Sequence, residues 1–391
     1  MFQRELRHYL EQVATYYPVV AILGPRQSGK TTLAQMVFPR HRYISLEDLT
    51  TRNFAKNDPK GFFETYQNDF GIIIDEFQHV PDILSYIQTI SDASKKLGYF
   101  ILTGSQNFLM NQAISQSLAG RVAITTLLPF SLAELKANQA LPDKTTDVIY
   151  QGFYPPIYAR HVPPEIWYPD YIQTYIERDV RQLTNVTDLS LFQTFMQLCA
   201  ARCGQLLNIT SLANDCGISD MTARRWLTLL QASYIIFLLP PHHNNLGKRL
   251  TKSPKLYFFD TGLACALLKI PFEQLDTHYL RGHLFENMVI ADLVKQCTNQ
   301  GKRPSLYFWR DHTGNEVDCI IEHGTDLTPI EIKAGQTVQN DFFKGLDYYQ
   351  QLAQKHATTG DIIYGGDEIQ KRTRGVVIPW RAMGSIIESL N

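Results

Sequence analysis

Three short stretches hold residues whose types and spacing could do chemistry. The first, "GPRQSGKTT", runs from Gly24 to Thr32 and fits the pattern G-x-x-x-x-G-K-[ST]. A loop of this kind wraps phosphate oxygens with backbone N–H groups, and its glycines let the chain come close. Gly24, Pro25, Arg26, Gln27, Ser28 and Gly29 would form the cradle. Lys30 would neutralise the outer phosphates, and Thr31, followed by Thr32, would offer a hydroxyl to Mg²⁺. The second stretch, "IIIDE", ends an apolar run in two acids. Asp75 suits the Mg²⁺ shell, and Glu76 suits a base that polarises the attacking water. The third, "EVDCIIEHGTDLTPIEIK", sets Asp318 ahead of Glu331 and Lys333. Acids on neighbouring strands can share a divalent metal over a phosphodiester, with a lysine steadying the scissile phosphate. Glu331 and Lys333 are two apart on a strand and so share a face. Glu286, in "LFEN", adds a fourth polar group from the preceding helix.

Other positions qualify with less context. "LTGSQ" offers Ser105 to sense the terminal phosphate, with Thr103 and Gln106 as alternatives. "LAGR" offers Arg121 as an arginine finger, which would have to reach the nucleotide of a neighbouring copy. Its rival reading is an ordinary surface arginine. Arg178, in "YIERDV", is a further residue that could face the nucleotide.

These groups need elements to hold them. "VVAIL" reads as a buried strand before the glycine loop and "TTLAQMVF" as a helix after it. "GIIIDEFQHVP" and "YFILTGSQNFLM" supply two more short strands, so the pattern is that of a parallel α/β sheet. The pattern loosens near 138–165, where Pro and polar residues concentrate, and a first boundary is expected there. From about 165 to 270 the chain reads as mostly helical. "ITSLANDCGISDMTARRWLTLLQ" follows helix-turn-helix grammar, with a turn at Gly217 and a cap at Ser219. "YIIFLLP" and "KLYFFD" read as two strands of a wing. Arg224 and Arg225 fall on the second helix, and Lys248, Arg249, Lys252 and Lys255 cluster near the wing. Together they fit DNA contacts, against a rival reading as solvated charges on a packing module. Beyond 275, "GHLFENMVIADLVKQC" reads as an amphipathic helix ahead of three strands and a helix, a mixed α/β unit.

Bulk properties bound these readings. A chain of 391 residues implies two or three domains. A net charge of −1 gives no global pull toward nucleic acid, so any DNA contact must come from local patches. None of the six cysteines forms a C-x-x-C pair, and buried reduced thiols are expected. The opening "MFQRELRHYLEQV" mixes charges too early for a signal peptide, and "YIIFLLPP" is too short to span a bilayer. The expectation is a cytoplasmic protein with no membrane partner.

Residues 1–135 resemble the AAA+ ATPases, on "GPRQSGKTTL", "IIIDEFQHVPDIL", "ILTGSQNFLM", "LAGRV" and "LLPFSLAEL". With "YIERDV" and "GHLFEN", the chain is similar to a prokaryotic family that joins an AAA-type N-terminal half to a DUF4143-type C-terminal half. The resemblance implies ATP and Mg²⁺ as cofactors more firmly than it implies a purpose. The Glu286, Asp318, Glu331, Lys333 set resembles the PD-(D/E)xK nuclease fold. The expected architecture is α/β: a P-loop AAA+ parallel-sheet domain (1–150), a helical and winged-helix domain (151–273), and a restriction-endonuclease-like α/β domain (274–391). The expected function is ATP hydrolysis that drives or gates a DNA-associated activity, extending to metal-dependent cleavage. The alternative is an ATP-gated module that binds a DNA or protein partner through a catalytically silent nuclease-like domain. A homo-oligomer follows if Arg121 works between copies.

Overall fold

Strand β1 (Val19–Gly24) is buried at every position, as a β-branched run in the middle of a parallel sheet must be. In the computed structural model, which describes residues 2–105, 114, 117–176, 188–242, 252–353, 359–384 and 386, β1 is an inner strand of a five-stranded sheet. The others are β2 (Arg42–Ser45), β3 (Ile72–Asp75), β4 (Phe100–Ser105) and β5 (Val122–Thr126), in the order β2-β3-β4-β1-β5. All pairings are parallel. Alternation along β1 splits its side chains. Val19, Ala21 and Leu23 join one core with Phe62, Ile74 and Leu102, while Val20 and Ile22 join another with Leu6, Leu10 and Leu33. Register then sets the site: Asp75 pairs with Thr103, and Gly24 pairs with Ser105. The polar residues of three strands therefore end at one edge.

The stretch 138–165 is built differently from the loosened segment expected there. Thr145–Gln151 and Pro155–Ala159 are helices, and Pro164–Tyr171 follows. Proline sits in the first turn of the last two, where its missing N–H costs nothing. Val148, Phe153, Tyr154 and Ile157 are buried in the largest core.

The helix-turn-helix grammar produces helices Ile209–Cys216 and Asp220–Ala232. Gly217 turns between them at φ 72°, and Ser219 Oγ accepts from Thr222 N at 3.1 Å. A small antiparallel sheet follows, ordered β6-β8-β7, from β6 (Gln205–Leu206), β7 (Ile236–Leu239) and β8 (Lys255–Phe258).

The last sheet has six strands in the order β13-β14-β12-β11-β10-β9. They are β9 (Leu306–Arg310), β10 (Glu316–His323), β11 (Asp326–Lys333), β12 (Asp361–Tyr364), β13 (Gln370–Arg372) and β14 (Gly375–Pro379). Helix Lys344–Ala353 packs on one face with Trp309, Val317 and Ile320. Helix Arg281–Asn299 packs on the other, and it is not amphipathic: from Leu284 to Cys297 every residue is buried. Several of its buried polar residues meet partners remote in the chain. Asn287 takes up both backbone groups of Phe258 at 2.6 and 2.9 Å, Asp292 accepts from Leu132 N at 2.6 Å, and Lys295 donates to Phe130 O at 3.0 Å. The core around this helix gathers residues from between Leu128 and Ile386 into one cluster. All six cysteines are buried and free. Among the described residues, no helix is long and apolar enough to cross a membrane.

Candidate functional site

The glycine loop lies where β1 passes into helix Lys30–Val37, at the carboxyl edge of the sheet, the place where open α/β sheets bind ligands. Its shape needs backbone freedom. Gly24 has φ 149°, and a Cβ there would lie 2.2 Å from the Leu127 carbonyl oxygen. Gly29 has φ 92° and Gln27 φ 65°. Lys30 is buried and folds back onto its own loop, donating to Pro25 O at 2.8 Å and Gly24 O at 3.2 Å. Thr31 Oγ1 donates to Asp75 at 2.9 and 3.1 Å, Thr103 Oγ1 donates to the same carboxylate, and Tyr43 OH donates to it at 2.8 Å. Burial, then Asp75, pushes the Tyr43 phenol up to about 12, so it stays a donor. Among the described residues the buried Ser28 hydroxyl has no hydrogen-bond partner, which suits a loop built to receive an anion.

Glu76 follows Asp75 in the left-handed region, at φ 53°. Gln78 donates to its carboxylate and, at 3.1 Å, to Ser105 Oγ, while Ser105 N lies 3.4 Å from the same carboxylate. The two acids thus stand apart, one on Thr31 and one on Ser105. A cavity of 470 Å³ opens here, lined by Arg26, Gln27, Gly29, Lys30, Thr31, Thr32, Glu47, Glu76 and, from a later segment, Pro155, Pro156, Ala159 and Arg160. This donor set fits a nucleoside triphosphate with Mg²⁺: a lysine, a threonine hydroxyl with an aspartate, and a separate glutamate.

Several contributors escaped the sequence reading. Tyr43 and Gln78 carry no motif. Arg160 donates to Gln27 Oε1 at 3.4 Å from 133 positions away. Arg4 holds the loop from outside: its guanidinium donates to Ser28 O at 2.7 Å, to Leu128 O at 2.6 Å and to Glu134 at 2.8 Å. Only "SLAEL", a capping box joining Ser131 and Glu134, hinted at that partner.

Arg121 sits elsewhere. It precedes β5, beside Val19 at the start of β1, so it lies at the opposite end of the strands from the loop. Its guanidinium pairs with Asp92 at 2.6 Å. Gln106, Arg178, Lys248 and Arg249 lie outside the described residues.

The third motif does gather. In the β10–β11 hairpin Cys319 opposes Ile330, which places Asp318 across from Glu331. Asp318 accepts from Ile332 N at 2.8 Å, and Lys333 lies 2.5 Å from Glu331 and 3.7 Å from Asp318. Glu286 comes in from helix Arg281–Asn299. Into this group projects a residue that the sequence assigned to the wing. Lys255 is buried, lies 2.8 Å from Glu286 and 3.9 Å from Asp318, and pairs with Glu316. Its reading as a DNA-contacting wing lysine is therefore corrected: its sequence neighbour Lys252 is exposed, whereas its own strand turns inward. Burial pulls the Lys255 ammonium down, but Glu286, Asp318 and Glu316 outweigh it and hold it above the usual lysine range. Burial, then Asp318, raises Glu331 against the pull of Lys333. On the helix-turn-helix, Arg224 and Arg225 are exposed.

Three family models match successive stretches of the chain. Residues 16–136 match the AAA domain family, 142–274 a domain of unknown function (DUF8612), and 281–383 a domain of unknown function (DUF4143). The chain is 29% identical over 332 residues to Mb2031c of Mycobacterium bovis and to Rv2008c of Mycobacterium tuberculosis, covering 82% of this chain and 71% of each relative. Among solved structures, the Walker-type ATPase of Pyrococcus abyssi shares 16% identity at a TM-score of 0.47, over 69% of this chain and 96% of its own. The Holliday junction branch migration motor RuvB of Thermotoga maritima shares 16% at 0.32, over 61% and 90%. The N-terminal third of the chain is thus similar to the AAA domain family and the C-terminal third to the DUF4143 family.

Proposed function

We propose that this protein is a Mg²⁺-dependent ATPase whose nucleotide state gates a binding surface on its middle and C-terminal segments. The observation that carries this reading is the convergence of Lys30, Thr31 and Glu76 on a 470 Å³ cavity that Arg160 also lines, with Asp75 hydrogen-bonded to Thr31. Lys30 would exchange the Gly24 and Pro25 carbonyls for phosphate oxygens. Thr31 and Asp75 would hold Mg²⁺ and order its shell. When bound, Mg²⁺ offsets the charge that develops on the transferred phosphate. Glu76, kept apart from Asp75 by its own backbone turn, would orient the attacking water and accept its proton. Ser105 and Gln78 position that carboxylate. Arg121 would serve the nucleotide of a neighbouring copy, since its own lies at the far end of the strands.

Arg160 and its flanking prolines belong to the segment that leads into the helix-turn-helix. Closure on ATP would therefore move that segment. The helix-turn-helix with its three-stranded sheet supports a winged helix, and the exposed Arg224 and Arg225 favour DNA as its partner over an apolar protein face. The six-stranded mixed sheet with Glu286, Asp318, Glu331 and Lys333 supports a PD-(D/E)xK nuclease-like fold, used here as scaffold. Lys30→Ala tests the core of the reading. It should abolish binding of a fluorescent ATP analogue at concentrations that saturate the wild type, and turnover with it. Unchanged turnover would sink the proposal.

A further inference from the structure

The nuclease-like resemblance of the C-terminal sheet implies a divalent ion held by Glu286, Asp318 and Glu331, and the geometry speaks against one. Mg²⁺ needs near-octahedral oxygen ligands at about 2.0–2.1 Å. Here one oxygen of each of these carboxylates is already engaged by the protein, while Glu331 Oε2 is buried without a hydrogen-bond partner among the described residues. Glu286 Oε1 accepts from Lys255 and, at 2.6 Å, from Tyr257 OH. Asp318 Oδ2 accepts from the backbone of Ile332, and Glu331 Oε1 accepts from Lys333. Glu316 is divided between Lys255 and Arg310, the latter at 2.8 Å. Among the described residues, no three His, Cys, Asp or Glu side chains are placed to hold a metal ion.

We propose that the Lys255 ammonium is the resident cation of this carboxylate cluster, so that the C-terminal sheet is closed to divalent metal and serves as a charged clasp rather than a cutting site. An ammonium has donors and no acceptor, so it suits a pocket of carboxylates. A buried charge is tolerated only when paired and hydrogen-bonded. Lys255 meets both conditions: it is 2% exposed, with Glu286, Glu316 and Asp318 about it and the Phe308 ring 5.7 Å away. Its strand β8 pairs with β6 and β7 of the small sheet, whereas Glu316 and Asp318 belong to β10 of the large one. One side chain therefore ties two sheets together. Lys333, the lysine a nuclease would aim at phosphate, is likewise turned onto Glu331 and Asp318.

The test is Mn²⁺ binding by the full chain, followed by electron paramagnetic resonance, with and without ATP. Wild type and Asp318→Asn should take up the same amount of Mn²⁺ in each condition. A site present in the wild type and missing from Asp318→Asn overturns the proposal, whether it is present from the start or appears only when ATP is added. The clasp has its own readout: Lys255→Ala should lower Tm by about 5 °C or more, because it leaves buried carboxylates unpaired. An unchanged Tm in Lys255→Ala also overturns it. If that variant fails to fold, the wild type against Asp318→Asn still decides. None of these results depends on Lys30, so the clasp and the ATPase reading stand or fall separately.

Discussion

Glu76 sits in a backbone conformation that few side chains other than glycine adopt, at φ 53°. Such a residue costs roughly 1–3 kcal/mol and persists only where its surroundings impose it. Here the turn Phe77–His79 follows at once, and Gln78 and Ser105 hold the carboxylate. Gly104 makes this feasible, since a Cβ there would lie 2.5 Å from Gln78 Oε1. Glu76→Gln keeps the shape and removes the base. It should leave ATP affinity within about twofold and slow turnover by about 10²–10⁴. Single-turnover hydrolysis beside a nucleotide titration checks this, and unimpaired hydrolysis would assign the base elsewhere. Legibility at this scale followed distance along the chain. Lys30 and Thr31 share a window with their glycines, so spacing alone revealed them. Lys255 stands three residues from Lys252 and looked like its companion. Its true partners begin at Glu286, and nothing local announces them.

At the scale of elements, the loop is as well placed as the pieces that clamp it. Arg4 precedes helix Leu6–Val13 and reaches three of them: the loop at Ser28, the end of the sheet segment at Leu128, and the capped helix Leu132–Ala137 at Glu134. Glu134 is 1% exposed and also closes the cap on Ser131. Arg4→Met would leave it buried without its cation, a change that costs about 3–5 kcal/mol. The variant should unfold at lower denaturant, and its ATP affinity should fall about tenfold or more. If affinity holds while stability drops, the clamp is structural only. Strands and the helix-turn-helix were readable because their signals are local: β-branched runs, Gly217, Ser219. The 138–165 stretch was not, because its prolines start helices there. Helix Arg281–Asn299 misled in another way. Its polar residues mimic a wet face, yet they are satisfied by Phe258, Leu132 and Phe130, which are remote in sequence.

Over the whole molecule, the large core makes the middle and C-terminal segments one packed body around Arg281–Asn299. Lys295 lies at its centre, fully buried, with its Nζ 3.6 Å from the Phe153 ring centre. Burial pulls it down to about 8 against the opposing pull of Asp260 and Asp292. In the unfolded chain it keeps its proton to about pH 10. Between about pH 8 and pH 10 the unfolded state therefore binds more protons than the folded one, and stability rises with pH. The gain is lost as pH falls through 8. The Tm of the wild type relative to Lys295→Met should thus climb from about pH 7.5 to about pH 10. A constant difference would mean that Lys295 stays charged in the fold. The parallel sheet around the glycine loop was legible from its short apolar strands, but the joining of the middle and C-terminal segments around one helix was not, because its contacts are remote in sequence. The helix Arg281–Asn299 also touches helix Leu6–Val13, strand β5, strand β8 and strand β11. A ribosome delivers it late. From residue 136 to residue 299 synthesis takes on the order of ten seconds. Through that interval the apolar residues from Leu128 onward have no helix to close over them, so the nascent chain must wait, unfinished, for its own keystone.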